Sequence, residues 1–203
     1  MIRRPHLKIR LSMVIIAIDA ITYAILAALS NNPLHISSRL LSIVGQANFM
    51  VLYRGYWWQL ITAMFVHITL PHLILNLLYL YLIGVPFERL YGHKNFLITF
   101  LLSGIFGNVL SLAMGPYVIT AGASGALFGL IGAMTVIERG KHGGRFRDAL
   151  TALLILVLLN SMWQGVNILA HLGGLVVGVI LGLRYSRHYS IGRYAYWYYT
   201  TRR

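Results

Sequence analysis

Cysteine is absent from this sequence, and acidic residues are nearly so: the only four are Asp19, Glu88, Glu138 and Asp148. The first absence excludes disulfides, thiolate nucleophiles and thiolate metal sites. Charge of either sign is scarce, at 10% of 203 residues, where a soluble domain of this size carries about a quarter. Five prolines and scattered glycines form no low-complexity tract, and no internal repeat is visible. What fills the chain instead is apolar: 58% hydrophobic residues and a mean hydropathy of +0.72. That composition belongs to an integral membrane protein.

A helix needs about 20 mostly apolar residues to cross the hydrocarbon core. Six runs approach that length, at 11–29, 72–90, 95–114, 124–137, 147–162 and 166–183. Too little chain lies between them for a separate soluble domain, so the expectation is one all-α membrane domain of six spans over 1–185. Residues 31–57 form a long first loop, apolar enough to lie in the membrane interface. Residues 186–203 form a basic tail rich in tyrosine, a mixture suited to the inner membrane interface.

The net charge of +13 raises the question of a nucleic-acid face. If the chain starts in the cytoplasm and threads six spans, all but Arg39 and Arg54 of the 17 basic residues fall on the inner side. Every loop then obeys the positive-inside rule, with both termini cytoplasmic. A nucleic-acid surface would gather its cations on one face instead, so no nucleic-acid partner is expected. The opening "MIRRPHLKIR" and the apolar stretch after it have some features of a signal peptide. The stretch is long and lacks a clear small-x-small cleavage site, so a retained first helix is expected.

With that orientation, the polar residues inside the spans fall at one depth. His72 and Asn76, four residues apart on one helical face, lie in the outer turns of the second run. Ser124 opens the fourth. His171 lies about five residues into the sixth, ~8 Å at the helical rise. Singly, each could be an interhelical hydrogen-bonding residue; four at one depth, including a serine and two histidines, point to a site. Gly174, Gly178 and Gly182 follow His171 at offsets that return to one face, and Gly125, Gly129 and Gly132 make a second small-residue surface beside Ser124. Such surfaces let helix backbones approach closely. A histidine takes a proton from a serine only at about 2.6–3.2 Å, which requires that approach. The segment before Ser124, "GPYVITAGA", reads as a loop whose glycines allow special backbone shapes. Unpaired N–H groups at the helix start could hold a developing oxyanion.

These pieces together resemble the rhomboid intramembrane serine proteases: His72-x-x-x-Asn76, Gly122-x-Ser124-Gly125, and "AHLGGLVVG" in the sixth run. "YWWQLITAMFVH" and "FERLYG" resemble the family's segments on either side of the second helix. The resemblance covers roughly residues 56–184. It implies a six-helix rhomboid bundle with Ser124 as nucleophile and His171 as general base. His72, Asn76 and the backbone around Ser124 would stabilise the oxyanion. It further implies single-span membrane proteins as substrates, cut near the extracytoplasmic face, and a multi-pass protein of the cell membrane. Three positions depart from the family pattern. Trp58-Gln59 stands where Trp-Arg is usual, with Arg54 as a partial substitute. Phe128 replaces the tyrosine that stacks on the histidine. Asn167 sits one place earlier than the usual asparagine, with Ile168 in its position.

The acids restrict the mechanism independently. Glu88, Glu138 and Asp148 fall on the cytoplasmic side, a membrane thickness from Ser124, and only Asp19 lies within the bilayer. A Ser-His-Asp triad therefore lacks a third member, and a Ser124–His171 dyad is the simpler reading. Two-aspartate proteolysis is excluded by the same count, and no His-Glu-x-x-His motif is present. No cofactor or metal is expected. Asp19 is expected to be a structural acid with a partner. Two other classes remain: a rhomboid-like protein that binds membrane clients without cutting them, and a transporter or metal-binding protein using His67, His72 and His171. Both catalytic residues are present, against the first; no carboxylate or thiolate lies at that depth, against the second.

The charge distribution yields a topological test. Reporters fused at Lys94 or Lys141, and at either terminus, should be cytoplasmic, and reporters near Gln46 and Pro116 external. An external Lys141 would place Ser124 at the inner leaflet and break the common-depth argument.

Overall fold

The computed structural model describes residues 10–142, 147–148, 151, 155 and 167–200. Its helices are α1 (Leu11–Leu29), α2 (Ser38–Val44), α3 (Asn48–Arg54), α4 (Gln59–Thr62), α5 (Leu70–Tyr91), α6 (His93–Ser111), α7 (Ser124–His142) and α8 (Ile168–Thr200). Four of these segments, Leu11–Leu29, Leu70–Tyr91, His93–Met114 and Ile168–Ser186, are long and apolar enough to cross a membrane. α7 has the length, 19 residues, but ends in Glu138, Arg139 and Lys141.

The first run of the sequence coincides with α1. The second, third and fourth begin or end a few residues inside α5, α6 and α7, because polar helix ends carry no hydropathy signal. Of the fifth run, only 147–148, 151 and 155 are described, and these are helical. The sixth run starts at Ile168, two residues later than expected. Its helix continues through the start of the tail to Thr200.

The bundle exposes apolar side chains on its outer face, and its polar side chains are among those buried. α1 exposes Ile18, Ile21, Ile25 and Leu29 and buries Ser12, Asp19 and Tyr23. Asp19 is the exception to the expected pairing. It is fully buried, yet neither carboxylate oxygen has a hydrogen-bond partner among the described residues. Glu88 on α5 is an acid that does tie elements together. Its carboxylate accepts from Leu11 N at 2.7 Å, Ser12 N at 2.9 Å and Ser12 Oγ at 2.5 Å, and also contacts His93 Nδ1. It thereby caps α1, whose first N–H groups have no partner within their own helix.

α5 begins where Thr69 Oγ1 accepts from His72 N, with Pro71 in the first turn. It passes Pro86 without breaking. Proline lacks an N–H and crowds the carbonyl four residues back, and the helix widens to a π turn over Leu80–Gly84 to take up the misfit. Between α5, α6 and α7 lies the main core, with Phe87, Phe96, Phe100 and Leu130 fully buried.

The segment from Asn31 to Trp57 folds onto the Ser124 end of the bundle. Its two-residue strand β1 (Gln46–Ala47) pairs antiparallel with β2 (Ile119–Thr120), Gln46 opposite Thr120. Neutral amides hold it there. Gln59, fully buried, accepts from Ala47 N at 3.0 Å and donates to the carbonyls of Ser42 and Ile43. Asn48 donates to the carbonyls of Ser111 and Gly115, and Gln46 to that of Asn108. The anchoring expected in part from Arg54 is made by Gln59, and Arg54 is exposed.

α8 packs in a groove between α6 and α7, and glycine sets the approach. A Cβ on Gly174 or Gly178 would fall on the carbonyl oxygens of Gly125 and Gly129, and one on Gly182 would lie 2.8 Å from the Ala133 backbone. On the other side a Cβ on Gly173 would lie 2.9 Å from Gly107 Cα. The contacts step by four residues along both chains, so α7 and α8 run parallel and in register. Gly178→Ala should therefore force the helices apart and cost about 1–3 kcal/mol, the usual penalty of overpacking. Thermal unfolding in detergent checks this, and an unchanged Tm would contradict the backbone contact.

Candidate active site

The four polar residues singled out in the spans converge at one end of the bundle. Ser124 is the first residue of α7, and Leu127 N bonds to Ala123 O at 3.0 Å. The N–H groups of Ser124, Gly125 and Ala126 therefore precede the first intrahelical bond. His171 lies in the first turn of α8, and its Nε2 is 2.8 Å from Ser124 Oγ. The ring is buried and stacks on Phe128, with centroids 4.4 Å apart and planes 28° apart. Its Nδ1 has no hydrogen-bond partner among the described residues, so no third residue orients it there.

His72 approaches from α5. A Cβ on Gly122 would lie 2.7–2.8 Å from the His72 ring, and Gly122 itself has φ +115°. Both facts require glycine at that position. Gly122 N bonds to Ala63 O at 2.9 Å, which fixes the loop two residues before Ser124. Asn76, one turn below His72, is buried; its amide nitrogen donates to His72 O at 2.9 Å, and its Oδ1 has no partner among the described residues. Gly125 and Gly174, expected as supporting residues, pack against each other, and Gly125 also lies against the Ala170 carbonyl.

Two features were not visible in the sequence. His67, noted there only as a possible metal ligand, is fully buried and packs edge-on to His72, with centroids 5.2 Å apart. This places it beside the second histidine while His171 is engaged with Ser124 and Phe128, and the three do not converge as a ligand set. Asn167 caps α8, with Oδ1 accepting from Ala170 N at 3.0 Å, and donates to Ser111 and Thr120.

Residues 54–188 match the family model described as the rhomboid domain, most of the chain and all four converging residues. The chain belongs to the rhomboid family. It is 33% identical over 185 residues to rhomboid-like protease 3 of Toxoplasma gondii, covering 87% of this chain and 70% of that protein. It is 34% identical over 129 residues to the rhomboid protease GluP of Bacillus subtilis, covering 62% of this chain and 25% of that protein. It is 27% identical over 209 residues to the rhomboid protease AarA of Providencia stuartii, covering 88% and 73%. Against the rhomboid pattern the three departures now have structural accounts. Phe128 keeps the stack on the histidine, Gln59 does the anchoring, and Asn167 caps the histidine's helix from one residue earlier.

Proposed function

We propose that this rhomboid is an intramembrane serine endopeptidase that cuts single-span membrane proteins near the extracytoplasmic face of the cell membrane. The observation that carries the reading is the 2.8 Å approach of His171 Nε2 to Ser124 Oγ between two helices. That is the reach needed for a base to take the serine proton. The relatives' names as proteases support it, and the positive-inside count supports the side.

In this mechanism His171 Nε2 accepts the hydroxyl proton as Ser124 Oγ bonds to the scissile carbonyl carbon. The peptide C–N bond then breaks, the departing nitrogen takes the proton from His171, and the acyl ester remains on Ser124. Water attacks the ester with His171 again as base, releasing the acid and restoring the serine. The reaction needs no cofactor. Negative charge on the carbonyl oxygen is met by N–H groups at the start of α7, by the His72 ring and by the second N–H of the Asn76 amide. These donors act in a low-dielectric site, where they are most valuable. Among the described residues His171 Nδ1 has no partner, which supports a dyad, with Asp19 outside the machinery.

Ser124→Ala and His171→Ala should each abolish cleavage, with the double variant no worse than either single one. Asn76→Ala should lose ~10²–10³ in kcat with little change in KM, and His72→Ala should resemble it, while Asp19→Asn stays active. The check is cleavage of a panel of single-span proteins in liposomes. Clear activity in Ser124→Ala would end the serine-protease reading; parent-rate cleavage by folded Asn76→Ala would end the oxyanion assignment.

A further inference from the structure

The glycine packing reaches the first turn of α8 at Ala170, whose carbonyl oxygen would lie 3.1 Å from a Cβ on Gly125 of α7 and 2.4 Å from one on Gly107 of α6. His171 itself lies in the first turn of α8, and terminal turns fray. Those contacts are to α6 and α7 themselves, and a separate set of groups ties that turn to the loop leading into Ser124. Three polar side chains from separate elements meet there. Asn167 Nδ2 lies 2.6 Å from Ser111 Oγ and 2.7 Å from Thr120 Oγ1, and the two hydroxyls lie 2.9 Å from each other. Asn167 Oδ1 takes the N–H of Ala170. Ser111 is fully buried at the end of α6, and Thr120 is buried in β2.

The placement is regular. Thr120 is four residues before Ser124 on its chain, and Asn167 is four residues before His171 on the other. Both hydrogens of the Asn167 amide go to the two hydroxyls, and its oxygen goes to the helix it caps. One side chain thus joins the start of the histidine's helix to the stem of the serine's loop and to α6. Each partner is neutral, so the link can sit at membrane depth without a desolvated charge.

We propose that Asn167, through Ser111 and Thr120, is a positioning residue that sets the registration of His171 against Ser124. This rests on the dyad reading above. An error of about 1 Å between reacting groups can cost a hundredfold in rate, and the loss falls on the chemical step. A simple capping role makes a different forecast, because serine caps a helix about as well as asparagine but cannot reach both hydroxyls.

The experiment compares kcat and KM for Asn167→Ser and Asn167→Ala in liposomes, with Tm for each and Ser124→Ala alongside. Asn167→Ser is expected to keep its Tm and lose about 10- to 100-fold in kcat at unchanged KM. Asn167→Ala should lose at least as much. Asn167→Ser at the parent kcat, or a loss confined to KM, overturns the proposal even where Ser124→Ala is inactive. Retained cleavage by Ser124→Ala would instead overturn the dyad reading on which it stands.

Discussion

Three glycines of α8 lie against the backbone of α7, and the chemistry of the site depends on that approach. Lipid tails are as apolar as leucine, so helices in a bilayer gain little by hiding leucine from lipid and associate through close packing. With side chains between them, the two backbones would stand too far apart for a histidine and a serine one turn above to share a proton. Gly125, Gly129, Gly174 and Gly178 remove that spacer, and Gly107 and Gly173 do the same between α6 and α8. The cost of glycine in a helix interior, about 1 kcal/mol relative to alanine, is offset by contacts that no other residue allows.

A second constraint is the scarcity of acids. With four carboxylates in the chain, ion pairs are few, and carboxamides make many of the links between segments. Gln46, Asn48, Gln59, Asn108 and Asn167 each bond to elements distant in sequence. An amide donates and accepts from one neutral group, which suits a low-dielectric interior where an unpaired charge is costly. Glu88 is the exception, a buried carboxylate whose bonds to Leu11, Ser12 and His93 compensate its desolvation.

Hydropathy and helical spacing made four of the spans and the convergence of His72, Asn76, Ser124 and His171 legible, because both are local properties. The Gly174–Gly178–Gly182 face was legible for the same reason. The roles of Gln59, Glu88 and Asn167 were not, since their partners lie 12–17, 76–77 and up to 56 residues away. Gln59 read only as a departure from the usual arginine, yet its amide holds the first loop to α4. Asp19 read as a paired acid, and among the described residues it meets no partner. The π turn before Pro86 left no mark in the apolar pattern, because a widened turn changes the backbone and not the residue types.

The central claim is that Ser124 is a nucleophile activated by His171 across the glycine-packed pair of helices. Its most direct test is covalent trapping with a serine-reactive phosphonate, read by mass spectrometry of the intact protein and of its peptides in detergent. The account predicts a single adduct on Ser124 that is lost in His171→Ala while that variant keeps its Tm. Labelling of Ser124 at the same rate without His171, or an adduct on another residue that survives Ser124→Ala, would contradict it.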